Sequence, residues 1–195
     1  AGVNRRLGSM TYSQVRELDV GRSFGGQFAG ERIPTLEEAL LTCKGRIKLN
    51  IELKNIGDDS DLPEQVVKLI QEHEMEEQCV ITSVKLGYLE RVKACGEEIH
   101  TGYILPAAYG KYYENDAFDF ISIRSSFVTP GLVEKVHERG KAVHVWTVNR
   151  KGEMEQMRAL GVDNVITDNP TLAMEVMYRE EAAESLMGYL KAVLR

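Results

Sequence analysis

The sequence lacks the features that mark several whole classes of protein. Its only cysteines, Cys43, Cys79 and Cys95, lie far apart with no paired spacing, which argues against a zinc site or a redox dithiol. No run of 18 or more apolar residues occurs, and no signal peptide precedes the opening AGVNRR. We therefore expect buried or idle thiols, no membrane span within these residues and, without an initial methionine, a chain cut from something longer.

The chain also has fewer basic than acidic residues. The chain has 24 Lys and Arg against 30 Asp and Glu, giving a net charge of -6, and the densest basic cluster is only Arg5 and Arg6. This balance argues against a nucleic-acid-binding surface, which normally needs a basic patch. A small anionic substrate stays possible, because a few local cations or a bound metal can reverse the field inside a cleft.

The 195 residues, 43% of them hydrophobic, suffice for one globular domain or most of one. Six β-branched runs predict strands: RIKLNIEL from 46, CVITS from 79, IHTGYIL from 99, FDFISI from 118, AVHVWTV from 142 and DNVIT from 163. Amphipathic segments lie between most of them, with start signals such as Thr35 and Glu38, a capping box, and Thr129 before Pro130. Alternation at this spacing predicts βα units and a parallel sheet, so the predicted class is α/β.

Polar side chains on alternate strand positions favour a barrel over a doubly wound sheet, whose interior strands tend to be apolar on both faces. In LNIELK, residues 49–54, Asn50, Glu52 and Lys54 alternate with apolar residues and are predicted to point inward near the carboxyl end of the strand. A full (β/α)8 barrel takes about 250 residues and eight strands. We therefore predict a TIM-type (β/α)8 barrel that is incomplete in this chain, with about six βα units and the first two strands missing.

The two ends of the chain are predicted to differ from the barrel units. The first 34 residues or so contain no predicted strand, only a helix signal at Thr11 to Leu18. The last residues read as an extra amphipathic helix. We therefore predict a partial barrel domain over residues 1–178 and a carboxyl-terminal helix extension over residues 179–195.

Four segments, in this order, carry a family resemblance: FAGERIPTLEEAL at 28–40, LNIELK at 49–54, VHVWTVN at 143–149 and LGVDNVITDNP at 160–170. Together they resemble the glycerophosphodiester phosphodiesterases, metal-dependent barrel enzymes that hydrolyse deacylated phospholipids to glycerol 3-phosphate and an alcohol. That family opens with a His-Arg-Gly strand, a Glu-x-Asp strand and a later His-Asp pair, none of which occurs here. The resemblance implies that both catalytic histidines and two of three carboxylate metal ligands lie upstream of this chain.

Glu52 and Lys54 have two readings from the strand alone: a metal or substrate site, or an internal ion pair between them. The resemblance implies that Glu52 is the third metal-binding carboxylate, for Ca²⁺ or Mg²⁺, and that Lys54 meets the substrate phosphate as a point charge. Trp146, the only tryptophan, is predicted to offer an apolar wall to the substrate, a role compatible with ordinary core packing.

The remaining candidates have structural readings. His144 matches neither histidine motif of the family and is predicted to be a core histidine, as are His100 and His137. Asp168 lies where helix-starting residues belong and is read as mainly structural. Ser83 matches the family pattern only in part.

The resemblance implies that the intact protein is a metal-dependent glycerophosphodiester phosphodiesterase of lipid metabolism, and that this chain alone is inactive. The competing readings are a noncatalytic barrel module for binding or association, with self-association through exposed sheet edges, and another phosphate-handling barrel such as an isomerase or synthase. The sequence also resembles bacterial members that carry the barrel after membrane-spanning helices. Any membrane contact is thus expected only through an upstream segment, and localisation stays open for this soluble domain.

Overall fold

The structure, a computed structural model, describes residues 2–54, 61–106 and 112–177. From residue 36 onward strands and helices alternate as the sequence predicts, except between residues 105 and 120, where the described residues form only a short 3-10 helix, Tyr112–Glu114. The strands are β1 Leu49–Glu52, β2 Cys79–Ser83, β3 His100–Leu105, β4 Phe120–Arg124, β5 Ala142–Trp146 and β6 Asn164–Val165. The α-helices are α1 Tyr12–Arg16, α2 Leu36–Cys43, α3 Leu62–Glu72, α4 Leu86–Cys95, α5 Pro130–His137, α6 Lys151–Ala159 and α7 Pro170–Met177.

The chain divides into two compact units, Ala1–Thr101 and Gly102–Arg195. In the first unit β1 and β2 pair in parallel, with Leu49 opposite Cys79 and Glu52 opposite Thr82. The core of this unit packs helices α2, α3 and α4 on one face of the two strands. Its fully buried members include Leu40, Val67, Ile70, Ile81, Val92 and Ile99.

The second unit carries the parallel pairings of β3 with β4, β4 with β5 and β5 with β6. Ile121 and Ile123 of β4 and Val143 and Val145 of β5 are fully buried. Successive side chains of a strand point to opposite faces, so the alternate residues of these strands share the other face. That second face carries the polar and aromatic side chains described below.

Helix starts follow the capping signals in the sequence. The Thr35 side chain accepts a hydrogen bond from the backbone N–H of Glu38, whose carboxylate accepts one from Thr35 N, a complete capping box for α2. Thr129 caps α5 through the backbone N–H of Leu132, and Pro130 occupies the first turn. The helix signal at Thr11 to Leu18 becomes the shorter α1, which also has a capping box.

Some elements are shorter than the sequence predicts. β1 starts at Leu49 rather than at residue 46, and β6 has two residues. The residues before α2 form no named strand in the part that is described, only an isolated antiparallel bridge between Asp19 and Arg32. No helix within the described ranges is long and apolar enough to cross a membrane. The extension predicted over residues 179–195 lies outside the described residues.

Candidate functional site

Glu52 and Lys54 lie together where β1 ends. The Lys54 ammonium is 3.1 Å from Oε2 of Glu52, and the two side chains are 65% and 36% exposed, respectively. Residues two apart on an extended strand lie on the same face, which explains why the chain brings them together. An exposed pair of this kind contributes about 0–1 kcal/mol, so the carboxylate can exchange its partner for a cation at small cost.

The backbone beneath this pair is held firmly by β2. Leu53 N donates to the carbonyl of Thr82 at 2.7 Å, and the buried Ser83 hydroxyl donates to the carbonyl of Leu53 at 2.9 Å. On the face of Glu52, the Thr82 hydroxyl donates to Oδ1 of Asn50 at 2.9 Å. Ser83 thus anchors the end of β1 from the opposite face, which accounts for its presence without a substrate contact.

The chemistry of Glu52 suits a hard divalent cation, which prefers oxygen ligands. The described residues provide no complete set of ligands around it. They contain no group of three or more His, Cys, Asp or Glu side chains that could hold a metal ion. Glu52 therefore fits the role of one ligand, and the described residues do not form a complete metal site.

Trp146 ends β5 in the second unit and lies beside Arg124, the last residue of β4. The guanidinium carbon of Arg124 is 5.3 Å from the centre of the indole ring. The indole Nε1 is buried and has no hydrogen-bond partner within the described ranges, while the side chain as a whole is half-buried. Trp146 thus combines packing with partial exposure at the carboxyl end of its strand.

A filled aromatic layer lies two residues deeper on the same face. The imidazole of His144 stacks on the ring of Phe120, with centroids 3.9 Å apart and planes 23° apart. A side chain at Gly102 would meet that ring at 2.1 Å, so only glycine fits opposite Phe120. Burial lowers the pKa of His144 to about 4, which keeps the imidazole neutral at pH 7. His144 is thus packed inside the unit, in line with its predicted core role.

The other histidines also lie away from the carboxyl ends of the strands. His137 ends α5 and contacts Oδ2 of Asp163 at 2.8 Å, and that carboxylate also accepts from Val143 N. His100 is the first residue of β3, and His73 caps the end of α3, with Nε2 3.3 Å from Oε1 of Glu37. The contacts of His73 and His137 are structural in character. His100 and His137 are exposed, so the prediction that they are core histidines is wrong, because a strand start and a helix end leave their side chains at the surface.

Sequence reasoning missed the link between the motifs VWTVN and ITDNP. The side-chain amide of Asn149 donates to Oδ2 of Asp168 at 2.7 Å, while its oxygen accepts from Thr167 Oγ1 and from Asp168 N. Asn169 then caps α7 by accepting from Leu172 N. The helix-start residues around Asp168 indicated that it has a structural role. Its partner Asn149 lies 19 residues away, so a local sequence pattern could not identify it.

A cavity of about 570 Å³ lies elsewhere in the first unit, between the amino-terminal segment and α2. It contains none of the predicted site residues. Arg16 within it donates to Glu38 at 2.9 Å and to the carbonyl of Ile33 at 3.0 Å. Arg16 and Glu38 already contact each other, so neither offers an unpaired charge to a ligand in this cavity.

Comparison with known proteins shows that the chain is similar to one enzyme family. A family model described as the glycerophosphoryl diester phosphodiesterase family matches residues 1–172. A glycerophosphodiester phosphodiesterase of Caldanaerobacter subterraneus subsp. tengcongensis is 34% identical over 166 residues, which cover 82% of this chain and 68% of that protein. A putative glycerophosphodiester phosphodiesterase of Bacillus subtilis is 28% identical, with the same coverage.

Solved structures agree in fold. The structure of a putative glycerophosphoryl diester phosphodiesterase from Silicibacter pomeroyi superposes with a TM-score of 0.77 at 26% identity, over 93% of this chain and 72% of that chain. A phosphodiesterase from Oleispira antarctica, in complex with its product sn-glycerol-3-phosphate, gives a TM-score of 0.79 at 24% identity, over 87% and 71% of the two chains. The α/β class and the incomplete TIM-type barrel predicted from the sequence are confirmed.

Proposed function

This chain belongs to the glycerophosphoryl diester phosphodiesterase family, and from that membership we propose that the intact protein hydrolyses glycerophosphodiesters to glycerol 3-phosphate and an alcohol with the help of a divalent cation. The observation that carries the proposal is the exposed Glu52–Lys54 pair at the end of β1. It offers a carboxylate to a cation and an ammonium to a phosphate from neighbouring positions at the end of one strand. The product bound by the Oleispira antarctica relative is of the class proposed here.

Glu52 is proposed as one oxygen ligand of Ca²⁺ or Mg²⁺, the other ligands coming from residues outside the described part of the chain. Such a cation, when bound, neutralises charge on the phosphodiester and polarises phosphorus. A bound cation would compete with Lys54 for the Glu52 carboxylate, and the ammonium would then be available to an anion. Because the ion pair is exposed and weak, this exchange costs little.

Lys54 is proposed to contact the nonbridging oxygens of the phosphate, where a compact ammonium stabilises the charge that develops during the reaction. Trp146 is proposed as an apolar wall for the substrate. The general base and general acid are expected to be two histidines supplied by sequence upstream of this chain. None of the four histidines here has the exposed position at a strand's carboxyl end that this role needs.

The test is divalent-cation binding and glycerol 3-phosphate release by the full-length protein, with Glu52→Gln as the variant. Glutamine keeps the shape of the side chain and removes its charge, so we expect cation affinity to fall by about tenfold or more, with loss of hydrolysis. The matched control is Glu72→Gln, an exposed carboxylate on α3 that faces Lys68. Cation binding that survives Glu52→Gln unchanged would show that the ligand assignment is wrong.

The sequence upstream of Ala1 distinguishes the enzyme from the alternative, a noncatalytic barrel module. A His-Arg-Gly and a Glu-x-Asp motif before Ala1 support the enzyme, and their absence supports a module used for binding or association. A different phosphate-handling barrel would release no glycerol 3-phosphate in the same assay. Its usual glycine-rich phosphate loop is absent from TDNPTL, residues 167–172.

A further inference from the structure

Arg124 occupies a position that the proposed chemistry does not use. It is the last residue of β4, it is exposed, and it lies opposite Trp146 in the parallel register of β4 and β5. Its guanidinium lies over the indole ring, 5.3 Å from the ring centre. At this distance a guanidinium is attracted to the negative face of the ring.

The charge of Arg124 is not neutralised by any carboxylate within salt-bridge distance in the described ranges. Two acidic residues of the same unit, Glu153 of α6 and Asp168 beyond β6, accept hydrogen bonds from neutral partners. Glu153 accepts from the Ser125 hydroxyl at 2.7 Å, and Asp168 accepts from the side-chain amide of Asn149. Arg124 therefore has no direct ion-pair partner among the described residues, and it places a guanidinium beside the proposed substrate wall.

This arrangement changes what the tryptophan can recognise. Aromatic faces bind quaternary ammonium groups such as choline through cation–π attraction. Here the guanidinium already lies over one face of Trp146, and a second cation beside it would be repelled. A guanidinium instead carries five N–H donors, which suit hydroxyl oxygens.

We infer that Arg124 and Trp146 form a specificity site for the alcohol group of the substrate, one that selects an uncharged polyol over a quaternary ammonium group. The inference rests on the proposed function, because it assigns the alcohol side of the same substrate to this pair. The apolar ring contacts the carbon skeleton of the polyol, and the guanidinium donates hydrogen bonds to its hydroxyl groups. A choline group cannot use the face of Trp146 that Arg124 covers, and the positive charge of Arg124 repels it.

The first experiment compares hydrolysis of glycerophosphoglycerol and glycerophosphocholine by the full-length protein. The wild-type protein should favour glycerophosphoglycerol in kcat/KM, and Arg124→Gln should shift the ratio toward glycerophosphocholine by about tenfold, mainly through KM. Arg124→Lys keeps the charge and should keep most of the preference. Arg139→Gln is the matched control, since that arginine lies after α5 and pairs with Glu114.

The outcomes separate the two proposals. If the full-length protein hydrolyses neither substrate, the proposed function fails and the specificity site fails with it. If it hydrolyses both with a ratio that Arg124→Gln leaves unchanged, the proposed function stands and the specificity site is wrong. An equal loss for both substrates would place Arg124 on the shared glycerol phosphate and would likewise overturn the inference.

A second experiment needs no turnover, because Trp146 is the only tryptophan of these 195 residues. Iodide, an anionic quencher of indole fluorescence, should quench Trp146 more strongly than caesium, and Arg124→Gln should lower the iodide-to-caesium ratio at least about twofold. Neutral acrylamide reports whether exposure of the ring has changed. An iodide-to-caesium ratio that is the same in wild type and Arg124→Gln contradicts a cation at the ring.

Discussion

At the scale of single residues, the Glu52–Lys54 ion pair is ordinary in geometry and weak in energy. The distance of 3.1 Å is that of an ordinary salt bridge, yet exposure of both side chains makes it a weak one. A strong buried pair would resist any incoming cation, because separating it leaves an uncompensated charge. The exposed pair is therefore suited to exchange, as the proposed role of Glu52 requires.

His144 gives a pH prediction that concerns stability. Burial lowers its folded pKa to about 4 from an ordinary value of 6.5, so between these values the unfolded chain binds more protons than the folded one. The contribution of a neutral His144 is present above about pH 6.5 and is lost as the pH falls toward 4. Because the side chain keeps some exposure, we expect a loss of about 1–3 kcal/mol in the free energy of unfolding.

The measurement is urea unfolding of wild type and His144→Gln at pH 7.5, 5.5 and 4.5. Glutamine does not titrate, so the stability of the variant should fall less than that of wild type across this range. Parallel pH dependences for the two proteins would mean that His144 is not held neutral by burial.

At the scale of elements, the pairing of β3 with β4 depends on one glycine. Gly102 lies opposite Phe120, and an added Cβ would be 2.1 Å from the phenylalanine ring, which is itself held by stacking on His144. Gly102→Ala should therefore destabilise the protein by about 1–3 kcal/mol through overpacking. The matched control is Gly152→Ala in α6, where a Cβ meets open space and helix propensity favours alanine.

Thermal unfolding followed by circular dichroism measures both glycine variants. Gly102→Ala should lower Tm, while Gly152→Ala should leave Tm unchanged or raise it slightly. Equal Tm values for Gly102→Ala and wild type would show that the ring of Phe120 moves aside freely.

At the scale of the whole molecule, we predict that these 195 residues alone hydrolyse no glycerophosphodiester. Glu52 is the only proposed metal ligand in the chain, and no group of three potential ligands occurs in the parts that the structure describes. An incomplete barrel is also expected to leave two sheet edges exposed, where the chain could self-associate. Glycerol 3-phosphate release by this chain with Ca²⁺ or Mg²⁺, measured beside the full-length protein, is the test, and activity comparable with full length would contradict the prediction.

The boundary between the barrel and its carboxyl-terminal extension stays a prediction. The family match ends at residue 172, and the structure describes the chain as far as Met177, the last residue of α7. A helix over residues 179–195 remains our expectation from the apolar spacing there.

The sequence by itself determined the order of strands and helices, the parallel α/β class and the family, because each depends on local patterns. Alternation along residues 49–54 placed Glu52 and Lys54 on one face, and the capping residues Thr35 and Thr129 marked helix starts. Strand ends were less predictable, as β6 shows with its two residues, because pairing with a neighbour decides where a strand stops.

Only the tertiary structure decided which distant side chains meet. The contact of Arg124 with Trp146, the stacking of Phe120 on His144 and the bond from Asn149 to Asp168 join residues 19 to 24 positions apart. Such contacts depend on the register between neighbouring strands and loops, which a local pattern of one chain segment does not contain. The proposed metal ligand could thus be identified from one strand, whereas the charge beside the tryptophan, and with it the inferred choice of alcohol, required two strands in register.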